Sequence, residues 1–362
     1  MTVPSADELL FVALGGAGEI GMNLNLYGHA GKWLMVDLGI AFTDDTMPGV
    51  EVVMPDPQFI EERRENLAGI VLTHAHEDHL GAVPDLWPRL KAPVYATPFA
   101  ASVLRRKLTE AGLRDKVPVV EIPLGGKFRV GPFDLEMVTM THSIPEPNAL
   151  AIRTRLGTVF HTGDWKIDPD PLLGAPTDQD AIRKLGDEGV LAMVCDSTNV
   201  FNTEASGSEA DVRKGLFKQI SSAQGRRVMV TSFASNAARL HTLGEVARDT
   251  NRKVCVAGRS LDRILNVAKA TGYLKDFPQT VDFDTAMRLP RDQVLIIATG
   301  GQGEARAALA RMAEEDPTVK YHYDPETKQL LVSGVGQLHV EVIVERMKRK
   351  YNVDVTLLPP RI

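Results

Sequence analysis

A chain of 362 residues with 44% hydrophobic and 24% charged residues has the composition of an ordinary globular protein with room for two or three domains. The formal net charge of −6 excludes a globally basic surface, so any contact with nucleic acid has to come from a local positive patch. No basic stretch precedes an apolar run at the N-terminus, and no apolar segment approaches the roughly 18 residues of a membrane span, which points to the cytoplasm and away from a membrane. The two cysteines, Cys195 and Cys255, lie in apolar strand-like runs and read as buried, reduced thiols.

In chain order, LLFVALGG, MNLNLYG and KWLMVDLG read as three strands joined by tight connections. AGIVLTHAHEDH is a buried strand running into a polar loop, and VPDLWPRL a short helix. PVYATP, KFRVGPFDLEMVTMTHS, ALAIRTRLGTVFHTGD and VLAMVCDSTN continue the strand-rich pattern, which fits two packed sheets better than a doubly wound parallel sheet. After Asn199 the texture changes. SEADVRKGLFKQISSA, SNAARLHTLGEVARDT and SLDRILNVAKATGYL read as helices, alternating with the strands RRVMVTSF, KVCVAG and QVLIIATGG. That alternation predicts a parallel α/β unit.

Gly16, Gly18 and Gly21 spell G-x-G-x-x-G after a strand, with Asp37 ending a later one, in imitation of a dinucleotide-binding fingerprint. The fingerprint needs a helix after the glycines, because the helix N-terminus holds the pyrophosphate. Met22 to Gly28 alternate with period two and turn at Gly28 to Gly31, which predicts a β-hairpin and excludes a nicotinamide cofactor.

The strongest signal is His74-Ala75-His76-Glu77-Asp78-His79, three imidazoles and carboxylates within six residues after a strand. Imidazole nitrogen with carboxylate oxygen is the donor mix suited to zinc. Two later strand ends carry further donor types: His142 after DLEMVTM, and His161 with Asp164 after GTVF. Beside the six-residue cluster, His142 and Asp164 become ligand candidates, whereas His161 is equally an ordinary satisfied histidine.

The pattern H-x-H-x-D-H, a downstream lone His and a downstream Asp resembles the metallo-β-lactamase superfamily. Asp37 matches its first motif. GEIGMN, THAHEDHLGAVP, TGDWK, CDSTN and SFASN resemble the ribonuclease J branch, whose inserted β-CASP domain binds nucleic acid. The resemblance covers about residues 1–310. It implies an α/β fold, a metallo-β-lactamase αββα sandwich with a truncated β-CASP insertion. It also implies two zinc ions: His74, His76 and His142 on the first, Asp78 and His79 on the second, Asp164 bridging, and Asp37 holding the loop and a ligand from behind. In such sites two ions about 3.5 to 4 Å apart generate a hydroxide nucleophile near neutral pH and offset charge on the phosphate oxygens. Asp78, Asp164, Asp196 and Asp37 are then the catalytic candidates, Asp196 as the acidic β-CASP motif. The implied substrate is single-stranded RNA, trimmed from a 5′-monophosphate end or cut internally. Ser232, Ser235 and Asn236 lie between a strand and a helix, where their amides suit a phosphate, although a plain N-cap by Ser235 or Asn236 fits equally. Arg239, Arg259 and Arg263 are candidates for the positive patch.

Two features depart from that family. It has two further site histidines after the β-CASP domain, one following a serine-glycine pair and one in a valine-histidine-glycine turn, and neither motif occurs here. From about Arg306, ALARMAEEDPT, SGVGQLHVE and VIVERMKRKYNVDV instead resemble domain III of elongation factor G. They read as a helix, a hairpin turning at about Asp324-Pro325, a second helix and a strand, most of a ferredoxin-like α+β unit, with QVLIIAT as a candidate first strand. The chain reads as a chimera: a core over 1–200, a partial β-CASP domain over 201–305 and an elongation factor G-like segment over 306–362. No G-x-x-x-x-G-K-[ST] loop occurs, so GTP is not an expected ligand. The expected activity is that of a zinc ribonuclease, impaired in so far as the missing histidines matter. A non-catalytic RNA- or ribosome-binding protein and another hydrolase of the same fold stay open as alternatives, as does a homo-oligomer. His339 reads as structural, and the second zinc site as weakened.

Overall fold

Period-two alternation sends side chains to opposite faces of a strand, and here it sorts them into separate cores. A computed structural model of the chain describes residues 3–43, 50–201, 206–299, 318–324, 329–333 and 336–351. These fall into two compact units, residues 1–230 with 234–297, and residues 298–362 with 231–233.

In the first unit, β1 (Leu9–Gly15), β2 (Leu24–His29) and β3 (Lys32–Val36) form an antiparallel meander. The β2–β3 hairpin turns on Ala30 and Gly31, at φ 45° and 82°, a tight turn with both central residues left-handed. The hairpin expected after the glycines is therefore present. After a two-residue pair, β4 (Ala41–Phe42) and β5 (Val52–Val53), and one helical turn, α1 (Gln58–Glu61), parallel strands β6 (Leu67–Val71), β7 (Val94–Ala96) and β8 (Val119–Glu121) complete a six-stranded sheet of order β1-β2-β3-β6-β7-β8. A second, five-stranded sheet has the order β13-β12-β11-β10-β9, with β9 (Lys127–Val130), β10 (Phe133–Thr139), β11 (Asn148–Thr154), β12 (Gly157–His161) and β13 (Ala192–Val194).

Leu34, Val36 and Val71 of the first sheet meet Leu135, Met137, Leu150 and Ile152 of the second in one buried cluster between the sheets. The alternate residues Trp33, Met35 and Ile70 face outward into a second cluster. There they pack with α3 (Val83–Leu90) and α4 (Pro98–Glu110), through Leu86, Phe99, Ala100 and Leu104. Val138, Ala149, Ala151 and Phe160 face the other way, onto Leu185 of α5 (Gln179–Glu188). Helix, sheet, sheet, helix is the αββα sandwich expected. Neither α4 nor α5 was anticipated from the sequence. The apolar residues of α4 interleave with a basic stretch, and α5 buries little beyond Leu185.

A three-stranded sheet of order β14-β16-β15 follows, from β14 (Val228–Ser232), β15 (Lys253–Ala257) and β16 (Val294–Thr299), with α6 (Glu209–Ser222), α7 (Ala237–Asp249), α8 (Arg259–Ala270) and α9 (Phe283–Arg288). Leu240 and Leu243 of α7 and Leu261 and Leu265 of α8 join the cluster that contains α4. The strand QVLIIAT is β16, central in this sheet with both edges paired, so it is not available as the first strand of the C-terminal unit. In the second unit, β17 (Lys320–Asp324) and β18 (Gln329–Ser333) pair antiparallel, and α10 (Gln337–Tyr351) follows. The first tail helix, Pro325 and the closing strand lie outside the described residues. Among those residues no helix is long and apolar enough to cross a membrane.

Cys255 is buried, but Cys195 is exposed, contrary to the expectation for it. The reason is its place just beyond β13, the edge strand of the second sheet, where Leu191 and Met193 are 63% and 62% exposed. An apolar strand edge with unpaired backbone groups invites pairing with another chain. Size-exclusion chromatography should show concentration-dependent association that Met193→Lys reduces. A wild-type chain eluting as a clean monomer at all concentrations would contradict this.

Candidate metal centre

The ends of four strands converge. β3 leads to Asp37, β6 to His74, β10 to His142, and β12 to Asp164. The backbone ties them. Asp37 N donates to Val71 O, Asn148 N to Thr73 O (3.1 Å), and Lys166 N to Thr141 O (2.9 Å), closing an antiparallel bridge beside His142. His76 to Leu80 is not a free loop: Glu77–Leu80 form one helical turn, α2. Leu38 and Ile40 N donate to His79 and Glu77 O, and Asn23 N to Asp78 O. Gly39 allows this approach, since a Cβ there would lie 1.6 Å from Asp78 O.

The donor atoms form two groups, His74, His76, His142 and Asp164, and Asp78, His79 and Asp164, with the atoms of each within 4.8 Å of one another. Asp164 belongs to both. His76 Nδ1 lies 3.0 Å from His74 Nε2 and 3.1 Å from His142 Nε2. A ring nitrogen carries one proton or one lone pair, so at most one of these contacts is a hydrogen bond. A cation among the three nitrogens satisfies both. A tetrahedral zinc with nitrogens at about 2.0–2.1 Å separates its donors by about 3.3 Å. The observed 3.0 and 3.1 Å, and 3.8 Å from His142 Nε2 to Asp164 Oδ2, bracket that value.

Hydrogen bonds behind the site orient the rings. Thr73 Oγ1 donates to Asp37 Oδ2 (2.9 Å) and accepts from His74 Nδ1 (3.0 Å), leaving the His74 Nε2 lone pair inward. His79 Nδ1 donates to Asp37 Oδ2 (2.8 Å), so its Nε2 faces Asp164 (3.2 Å) and Asp78 (3.4 Å). Asp37 is fully buried and also accepts from Thr73 N (2.8 Å). Its backbone is left-handed at φ 63°, a strained conformation for a non-glycine that turns its carboxylate toward the histidine cluster.

Electrostatics divide the groups in the same way. Burial, then repulsion from neighbouring imidazoles, holds His74 well below the usual histidine range and His76 at about 3, so both are neutral ligand forms. Burial likewise lowers His142. Burial also disfavours charge on His79, but the carboxylates of Asp37, Asp164 and Asp78 outweigh it and raise its pKa well above normal. Burial opposes ionisation of Asp164, yet His79 and then His142 pull its pKa down, and Asp78 follows for similar reasons. The second group is thus built to surround positive charge.

The second donor group opens on a cleft of about 580 Å³, lined by Asp78, His79, Asp164 and Asp196 together with Gly16 and Gly21. The fingerprint glycines are therefore part of its wall, at φ 82°, 78° and 90° for Gly16, Gly18 and Gly21. Asp196 N donates to Thr162 Oγ1 (3.0 Å), and its Oδ1 accepts from Thr198 N (2.9 Å). His161 is not among the clustered donors; its Nδ1 lies 2.9 Å from Tyr27 Oη. Sequence reasoning missed Thr73, Asn23 and Glu146. Asn23 Nδ2 donates to Asp78 O (3.1 Å). Glu146, two residues beyond Ile144 on the His142 loop, accepts from Phe99 N at the start of α4 (2.8 Å) and from Tyr273 Oη (2.9 Å). Asn23, within GEIGMN, and Thr73, the first residue of THAHEDHLGAVP, carried a signal, and Glu146 did not.

The candidate phosphate contacts are not gathered in this way. Asn236 caps α7, accepting from Arg239 N (2.8 Å), and Ser235 O accepts from Ala237 N. Ser232 Oγ donates to Phe233 O (3.3 Å). Arg239 and Arg263 are paired with Glu209 (2.9 Å) and Glu110 (3.1 Å), while Arg259 is exposed at the start of α8. The positive patch expected of three arginines thus reduces to Arg259 among them, because two are neutralised locally.

Comparison with known proteins accords with this geometry. Residues 42–182 match the family "Beta-lactamase superfamily domain", residues 225–324 "Ribonuclease J, beta-CASP domain", and residues 298–359 "Elongation Factor G, domain III". The chain is 48% identical over 314 residues to a ribonuclease J of Sinorhizobium meliloti, covering 86% of this chain and 56% of that one. Most of the chain is thus similar to ribonuclease J. A second ribonuclease J, of Mycolicibacterium smegmatis, is 42% identical over 307 residues, covering 84% of this chain and 54% of the relative. The chain thus spans about half the length of the curated relatives it matches. A crystal structure of a protein of unknown function from Enterococcus faecalis V583 shares the fold at 14% identity, with a TM-score of 0.58 over 82% of this chain and 78% of that one. The two C-terminal family matches overlap over residues 298–324.

The centre predicts a result for Asp37→Asn. Losing an outer partner of a metal-ligating histidine weakens metal binding about 10- to 100-fold. Competition against a chromogenic chelator reads the change, and unaltered affinity would contradict the role given to Asp37.

Proposed function

We propose that the chain is a zinc-dependent ribonuclease that hydrolyses phosphodiester bonds of single-stranded RNA in the cytoplasm. The observation that carries this reading is the pair of donor groups joined at Asp164, the second of which lines a cleft. His74, His76 and His142 would hold one ion and Asp78 and His79 the other, with Asp164 placed to serve both. Imidazole and carboxylate donors favour zinc over harder cations. When bound, the ions lower the pKa of water toward neutrality and offset charge that builds on the phosphate oxygens.

The chain's own residues prepare that chemistry. Asp37 keeps the proton of His79 on Nδ1 and so presents Nε2 to the site, and Thr73 does the same for His74. Burial keeps the first three imidazoles neutral and able to bind metal at neutral pH. Asp196 lines the same cleft, within reach of RNA seated there. Arg259 is our candidate for an outlying phosphate contact, with Ser232, Ser235 and Asn236 as further candidates. We divide the chain into a core over 1–200, a partial β-CASP domain over 201–305 and an elongation factor G-like segment over 306–362. No G-x-x-x-x-G-K-[ST] pattern occurs in that segment.

The second donor group numbers three residues among those described, one short of a closed tetrahedral site. Zinc titration should therefore give one tight equivalent per chain and a weaker second, and two equally tight sites would contradict this. With zinc, the chain should degrade a 5′-phosphorylated single-stranded RNA, and chelator or His76→Ala should abolish the loss. Strong RNA binding with no turnover under any metal would overturn the enzyme reading in favour of a binding protein.

A further inference from the structure

The second ring nitrogen of His161 has no role in the donor groups. His161 ends β12 and is 5% exposed. It contributes to the wall of the metal-centre cleft. Its Nδ1 is 2.9 Å from Tyr27 Oη, and the two rings meet edge to face at 86°. Tyr27 is 1% exposed, and its hydroxyl has no other hydrogen-bond partner among the described residues. The hydroxyl proton must go somewhere, because leaving a buried O–H unpaired costs about 1–3 kcal/mol. Only His161 Nδ1 can accept it. Tyr27 therefore donates, Nδ1 carries the lone pair, and the proton of the neutral imidazole sits on Nε2. Nε2 in turn has no partner among the described residues, and it is not among the buried polar atoms sealed from solvent without one. The cleft that His161 lines gives it its outlet.

We infer that His161, held in its Nε2–H form by Tyr27, is a substrate-binding residue that donates a hydrogen bond to a backbone oxygen of the RNA strand in the cleft. The inference rests on the ribonuclease reading for the identity of the strand. A neutral donor suits this position. The cleft already holds Asp78, Asp164 and Asp196, and a neutral N–H adds affinity for an oxygen without competing for those carboxylates as a fixed cation would. Phe11 stands beside Tyr27, with ring centroids 5.3 Å apart, and lines the same cleft, so the pair is braced from the apolar side.

The test uses the full zinc-loaded chain and a fluorescent, single-stranded 2′-O-methyl oligonucleotide, with affinity read by anisotropy. Nitrogen-15 spectra of the histidine rings should show His161 protonated on Nε2, and Tyr27→Phe should remove that preference. His161→Leu should weaken binding about 10-fold or more, as expected for a lost hydrogen bond to a charged oxygen, with zinc content unchanged. His161→Gln, whose amide can donate from a similar place, should recover most of the loss, which a purely structural role would not produce. If the leucine variant fails to fold, Tyr27→Phe carries the test, with an expected loss of about threefold or more. An Nδ1–H tautomer, or wild-type affinity in His161→Leu, overturns this inference alone. A wild-type chain that binds no oligonucleotide overturns it together with the ribonuclease reading.

Discussion

Three imidazole nitrogens directed at one point repel unless something positive lies between them, and the site is organised around that requirement. His76 Nδ1 has two ring nitrogens within 3.1 Å and only one proton or lone pair to offer. Beside it, three carboxylates surround His79 and favour its charged form despite complete burial. One half of the site thus offers neutral donors and the other collects negative charge, with Asp164 common to both. Burying such a set without a cation would be costly, because unpaired buried polar groups carry most of their desolvation penalty.

The scaffold bears that cost by rigidity. Each donor sits just past the end of a strand, and the strands are fixed by two apolar clusters that period-two alternation keeps apart. The donor loop is held by backbone hydrogen bonds from Leu38 and Ile40, an approach that no side chain at residue 39 would permit. On the far side, Glu146 joins the His142 loop to the start of α4 and to Tyr273, so the helices around α8 brace the site as well as the cleft wall does. Positive charge that might have served RNA is partly spent in this bracing, as with Arg239 on Glu209 and Arg263 on Glu110.

Much of this was legible in the sequence, for physical reasons. The alternation of MNLNLYG exposed a hairpin where the glycines imitated a nucleotide fingerprint, and HAHEDH concentrated donors too densely to be a solvated loop. What escaped notice depends on partners distant in the chain. β16 looked like a spare strand, but both its edges are taken by strands drawn from elsewhere in the sequence. Cys195 looked buried because its neighbours are apolar, but it adjoins a strand that is at the sheet edge among the described residues. His161 looked like either a ligand or a filler, and only its contact with Tyr27, 134 residues away, gives it a definite tautomer. The glycines precede a hairpin and not the helix of a nucleotide fingerprint, and they return as cleft wall, a role that local pattern does not reveal.

The chain joins two kinds of sequence, and the part similar to ribonuclease J, within its beta-lactamase superfamily match, contains all the clustered donors found among the described residues. The account therefore stands on whether those donors bind metal as one centre. Diffraction from zinc-soaked crystals, collected on both sides of the zinc absorption edge, tests this most directly. The account predicts an anomalous peak about 2.0–2.2 Å from donor atoms of His74, His76, His142 and Asp164, with a weaker one toward Asp78 and His79. Side chains that diverge around an empty space, or a zinc peak elsewhere on the chain, would contradict it.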